Sequence, residues 1–248
     1  MNKLWMILLV ILLAACASGV GKQNTAQKLA VAKIHTELAA AYFQRSQYAV
    51  ALQEIDVALQ ADPQYAPAFN VRGLVRMALR EDVRAEADFR YSLQLDQGNS
   101  ETHNNYGWFM CQRGREREAI KHFNEALKNP LYETPEKPNV NAGLCAKRLG
   151  EIKEAEEYFQ RALMLKSNQP EALLALAELN FDNQDYLNAR QYFLRYLQQS
   201  TELTAANLYL AVNIEKKLGD HDAEQSFALQ LRKRFPTSAE VQQLSSGE

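Results

Sequence analysis

The strongest constraint on this chain is a 34-residue period in where it places its small and aromatic side chains. The units align at 32–65, 66–99, 100–133, 136–169, 170–203 and 204–237. Position 8 reads Ala39, Gly73, Gly107, Gly143, Ala177 and Ala211. Position 20 reads Ala51, Ala85, Ala119, Ala155, Ala189 and Ala223, and position 24 reads Ile55, Phe89, Phe123, Phe159, Phe193 and Phe227. Two helices that cross closely admit only Gly or Ala at the crossing, and one large residue fills the groove beside it. Ala, Leu, Gln, Glu and Arg dominate the stretches between, with only 10 glycines and 7 prolines, and no window alternates as a strand does. The expected class is all-α.

This pattern resembles the tetratricopeptide (TPR) family, which implies a right-handed α-solenoid of six helix–turn–helix repeats across 31–237. Gly114, Gly150 and Gly219 stand near that family's inter-helix turn. Thr134 and Pro135 are two extra residues between the third and fourth units, in a stretch punctuated by Pro130, Pro135 and Pro138, and predict a longer connector. Position 27 loses its small residue at Tyr196 and Gln230, so the last repeats are more degenerate, as terminal repeats often are. Residues 238–248 fit a short solvating cap and tail.

Residues 1–15 have the anatomy of a signal peptide: Lys3, then the apolar run Leu4 to Leu13, then small residues before Cys16. The run is too short for a spanning helix, which needs about 20 residues. Leu13-Ala14-Ala15-Cys16 resembles the bacterial lipobox, which implies acylation at Cys16. Each buried CH₂ is worth roughly 0.8 kcal/mol, so two or three chains hold stably. Residue 17 is Ala and not the Asp of inner-membrane retention; the resemblance therefore implies the outer membrane, periplasmic face. The polar residues after Cys16 fit a tether over 16–30.

Cys111 and Cys145 remain once Cys16 is acylated. They are position 12 of the third unit and position 10 of the fourth, on first helices expected to lie side by side. Two positions along a helix is about 3 Å. In an oxidising compartment a disulfide is expected; two separately buried thiols are the alternative.

No phosphate-cradling loop, GxSxG elbow or HExxH is present, which points away from an enzyme, a cofactor or a small-molecule substrate. His35 and His103 occupy position 4 and are expected in the core, and the mixed-charge run Arg113 to Lys121 reads as solvated surface. A formal net charge of −2 argues against nucleic acid. Such repeats offer instead a surface lined by positions 2, 5, 9, 12 and 13 of the first helices, suited to a peptide or helix of a protein partner. In the first two units this lining is apolar, with Phe43, Leu74, Met77 and Ala78, and marks a contact patch unless a preceding N-terminal segment caps it. In the third and fourth units it turns polar around one aromatic: Asn104, Asn105, Trp108, Asn141, Lys147 and Arg148. Amides and guanidinium can hold a backbone there, and Trp108 either supplies contact area or packs on its neighbouring helix.

Asn104 to Cys145, with its YGWF run, NPLYETPEKPN connector and NAGLC, is more specific than the repeat alone. Together with the lipobox it resembles the type IV pilus biogenesis/stability lipoproteins of the PilF/PilW type, over essentially the whole chain. That resemblance implies a pilotin: an outer-membrane lipoprotein that binds the pilus secretin and promotes its localisation and multimerisation, with piliation and twitching motility as the outcome. The alternative is a TPR lipoprotein adaptor of another envelope machine, for β-barrel assembly or recruitment of cell-wall enzymes.

Overall fold

The computed structural model describes residues 25–200 and 202–246, so the signal segment and Cys16 lie outside it. All its regular structure is α-helical. Helix α1 runs over 25–44, followed by α2 (Tyr48–Ala61), α3 (Ala66–Ala78), α4 (Asp82–Leu95), α5 (Ser100–Cys111) and α6 (Glu116–Ala126). Then come α7 (Glu136–Arg148), α8 (Ile152–Leu165), α9 (Pro170–Asp182), α10 (Tyr186–Gln199), α11 (Ala205–Leu218), α12 (His221–Arg234) and α13 (Ala239–Ser246). The chain forms two compact units, Met1–Phe109 and Met110–Glu248, which meet in sequence within α5. Because α1 already runs at residue 25, residues 25–30, which the sequence placed in the tether, are helical; they are also exposed.

Six turns join a first helix to a second helix by one device. In each, an N–H reaches back to the carbonyl five residues earlier: Gln47 to Tyr42, Glu81 to Arg76, Arg115 to Met110, Glu151 to Ala146, Asp185 to Asn180 and Asp220 to Glu215. This is the Schellman closure, which requires a left-handed residue just past the helix end. Gly114, Gly150 and Gly219 take that place with φ of +74°, +76° and +77°. The sequence did not reveal that Ser46, Arg80 and Gln184 occupy the same place in the other turns, at +57°, +62° and +64°. Side chains rarely adopt this conformation, at a cost of roughly 1–2 kcal/mol per residue.

The pairs are held together at positions 8 and 24. A Cβ on Gly73 would lie 2.8–2.9 Å from the Phe89 ring, and one on Gly143 would lie 2.7–2.9 Å from the Phe159 ring. Both rings are fully buried. The first repeat fills the crossing the other way, with Ala39 and the smaller Ile55, both 0% exposed. Within the first unit Phe89 also carries the core forward, its ring 5.7 Å from Tyr106 and 5.8 Å from Phe109. In the second unit Leu173, Ala177, Ala189, Phe193, Tyr196, Ala211 and Ile214 form one cluster across the last two helix pairs.

Gly143→Ala is expected to lower stability by about 1–3 kcal/mol, the usual cost of overfilling a core. In a Phe159→Ile background the same change should cost less, which a denaturant double-mutant cycle measures. At the turns, Gln184→Gly should raise stability by about 1 kcal/mol and Gly150→Ala should lower it by a similar amount. Nothing lies within 4 Å of a Cβ at Gly150, so the second change reports backbone strain alone.

Candidate functional site

In the first unit the apolar patch is built on α1 and α3. Phe43, at the end of α1, is half-buried against the cluster of Ala39, Ala51, Ile55, Val71 and Val75, with its ring 6.0 Å from Tyr48. It therefore ties α1 to α3 as much as it faces outward. Leu74 and Met77 are half-exposed and Ala78 is exposed. Spaced at i, i+3 and i+4 on α3, these three share one helix face. Leu74 and Met77 are thus the better candidates for a contact, because neither belongs to that core cluster.

Apolar surface that the sequence reading missed lies on α1. Ile34 is 54% exposed and Leu38 41%, and with Ala30 and Ala41 they form a stripe opposite the buried Ala32, Thr36 and Ala39. The helical period alone could have shown it, since position 34 falls off the packed face. A charged network behind the patch was also missed. Asp88, 3% exposed, accepts two bonds from Arg72 Nε at 3.1 Å, one from Arg72 Nη2 at 2.7 Å and one from Arg76 Nη1 at 2.7 Å. A buried carboxylate is tolerable only when its oxygens are filled in this way. The network fixes α4 against the face of α3 that carries Arg72 and Arg76.

The polar patch divides between the units, with three residues in each. In the first unit, Asn105 Nδ2 donates to Asn70 Oδ1 at 3.2 Å, and Asn104 Nδ2 to Asn105 Oδ1 at 3.4 Å. Asn70, a lining position the sequence reading passed over, is 5% exposed and Asn104 4%. Asn105 and Trp108 are half-exposed and one turn apart on α5, so they present the accessible part of this row. Below them the Tyr106 hydroxyl donates to Glu86 Oε1 at 2.8 Å, and burial pushes its phenol above the ordinary value, keeping it a neutral donor.

In the second unit Asn141 and Lys147 are half-exposed and Arg148 is exposed, and each of the two cations has a partner within the chain. Lys147 Nζ lies 2.6 Å from Glu178 Oε2, joining α7 to α9. Arg148 Nη1 donates to the Cys111 carbonyl at 3.0 Å. Cys111 and Cys145 are bridged, with Cα atoms 6.0 Å apart, so the end of α5 is tied to α7 beside that guanidinium. The histidines expected in the core are not there. His35 is half-buried with Nδ1 2.6 Å from Glu54 Oε2, and His103 Nε2 lies 3.0 Å from the Gln97 carbonyl at the surface. A position-4 side chain in these repeats reaches the helix edge, where a polar partner is available. Among the described residues no group of three or more His, Cys, Asp or Glu is gathered to hold a metal ion, and no helix is long and apolar enough to cross a membrane.

The bridge encloses a span of 34 residues, for which loop-closure arguments give about 3–4 kcal/mol. Cys111→Ala with Cys145→Ala should lose roughly that much in a urea titration. Arg148→Ala should lose less than half of it.

A model of the tetratricopeptide repeat matches residues 140–203. The type IV pilus assembly protein PilF of Pseudomonas aeruginosa is 32% identical over 214 residues, which is 86% of this chain and 84% of that protein. Among solved structures, P. aeruginosa PilF superposes with a TM-score of 0.84 at 29% identity, over 90% of this chain and 100% of that one. PilW, a widely conserved type IV pilus biogenesis factor, gives 0.77 at 34% identity over 86% and 98%.

Proposed function

This chain belongs to the PilF family of type IV pilus biogenesis proteins with tetratricopeptide repeats, and from that premise we propose that it is a lipid-anchored pilotin. In this reading the acylated Cys16 holds the protein on the periplasmic face of the outer membrane. The helical repeats bind the pilus secretin and promote its insertion and multimerisation there. The observation that carries the reading is the relationship to P. aeruginosa PilF over 84% of that protein's length. The lipobox tetrad and the half-exposed Leu74 and Met77 support it.

The mechanism needs binding and no covalent step. A scaffold that holds the secretin subunit more tightly in its membrane-located, assembly-ready form than in its free form shifts the equilibrium toward that form by that difference in affinity alone. Leu74 and Met77 supply apolar area on a helix whose back is locked by the Arg72–Asp88–Arg76 network, so the face is preorganised. The half-exposed Asn105 and Trp108 offer a second, polar contact in the same unit, suited to a peptide backbone or another pilus component.

Leu74→Glu with Met77→Glu should reduce outer-membrane secretin multimers at least tenfold, roughly the loss of one to two buried apolar side chains from an interface. The variant should keep the thermal transition of the parent, since both residues are half-exposed. Unchanged multimers would exclude this patch. Cys16→Ala should move the protein out of the outer-membrane fraction, and mass spectrometry of the mature N-terminus should find the acyl chains on Cys16. An unmodified amine at any other residue would sink the anchor.

A further inference from the structure

Helix α13 packs on α11 and α12, in the place where the first helix of a further repeat would lie. It has only 8 residues, against 13 in α9 and 14 in α11. Beside it lies a cavity of about 660 Å³, within the roughly 300–1,000 Å³ of ligand-sized sites. Its walls show where it sits. Among the described residues, α13 reaches it through Leu244, in the last turn, and α11 through Val212, Asn213 and Lys216 of its second half. The cavity therefore lies at the tip of α13, against the second half of α11 and along α12.

The walls also define what fits. Val212 and Ala228 are buried at its base, while Leu229 stands on α12 at 65% exposure. Of the charged groups on the rim, Glu224 faces His221 at 3.3 Å and Asp222 sits in the first turn of α12, where the helix dipole favours it. Lys216 and Arg232 are exposed and, among the described residues, have no carboxylate within ion-pair distance.

We infer that this end face, formed by α11, α12 and the tip of α13, docks an amphipathic helix of a partner protein. The partner sets apolar residues on Leu229 and the cavity base and acidic residues against Lys216 and Arg232. The face is separate from the patch on α3 and does not depend on the secretin reading.

The test uses two fluorescent stapled helices of the length of α11, 14 residues, with the same Ala/Leu face. One carries Glu at the two flanking positions and the other carries Lys. Anisotropy titrations on the full chain should show saturable binding of the acidic helix, at least about tenfold tighter than the basic one, with the gap narrowing as salt rises. Leu229→Asn should weaken the acidic helix at least about tenfold with the thermal transition unchanged. Lys216→Glu with Arg232→Glu should reverse the preference. Absence of saturable binding, equal affinity for both helices, or indifference to Leu229→Asn would overturn the inference. Concentration-dependent self-association that Leu229→Asn abolishes would also overturn it, because the face would then belong to a second copy of the chain.

Discussion

The close approach of a phenylalanine ring to a bare Cα sets the geometry on which the second and fourth helix pairs depend. With Phe89 and Phe159 where a Cβ of Gly73 or Gly143 would stand, each second helix is drawn against its first. The ring fills what would otherwise be a void, and voids at a helix crossing forfeit dispersion contacts on both walls. Once that spacing is fixed, the turn between the helices has little freedom. The recurring Schellman closure, with a left-handed residue at its centre, satisfies the last carbonyls of each first helix in the space that remains. Small residue, large residue and turn are thus one solution repeated, which is why the same positions recur along the chain.

Repetition of the core leaves the outer surfaces free to differ. On α3 the position-8 glycine faces Phe89 while Leu74 and Met77 stay half-exposed, and Asp88 of α4 binds Arg72 and Arg76. On α7 the equivalent glycine faces Phe159, yet the outward lysine is committed to Glu178 and the arginine to the Cys111 carbonyl. The same scaffold therefore presents an open apolar face in the first unit and an internally bonded one in the second.

Legibility followed the range of the interaction. Gly73 with Phe89 and Gly143 with Phe159 are 16 residues apart in every unit, so their periodicity announced both fold class and packing positions. The three turn glycines were equally visible, whereas Ser46, Arg80 and Gln184 were not, because side-chain identity alone does not show a strained φ that the surrounding helices impose. Phe43 looked like a surface anchor from its place in the repeat. It proved half-buried because it packs on a core cluster to which α2 gives Ala51 and Ile55 and α3 gives Val71 and Val75.

The sequence by itself determined the all-α class and the helix-pair repeat, because both rest on short, periodic relations that each unit restates. What only the tertiary structure decided is which polar and charged residues are spent internally. Lys147 found Glu178, Arg148 found Cys111, His35 found Glu54 and Asp88 found two arginines, each through a neighbour on another helix. Such pairings depend on side-chain reach and on the spacing of neighbouring helices, and neither leaves a periodic trace in the chain. Leu74 and Met77 in one unit and the cavity beside α13 in the other are surfaces that those pairings leave open.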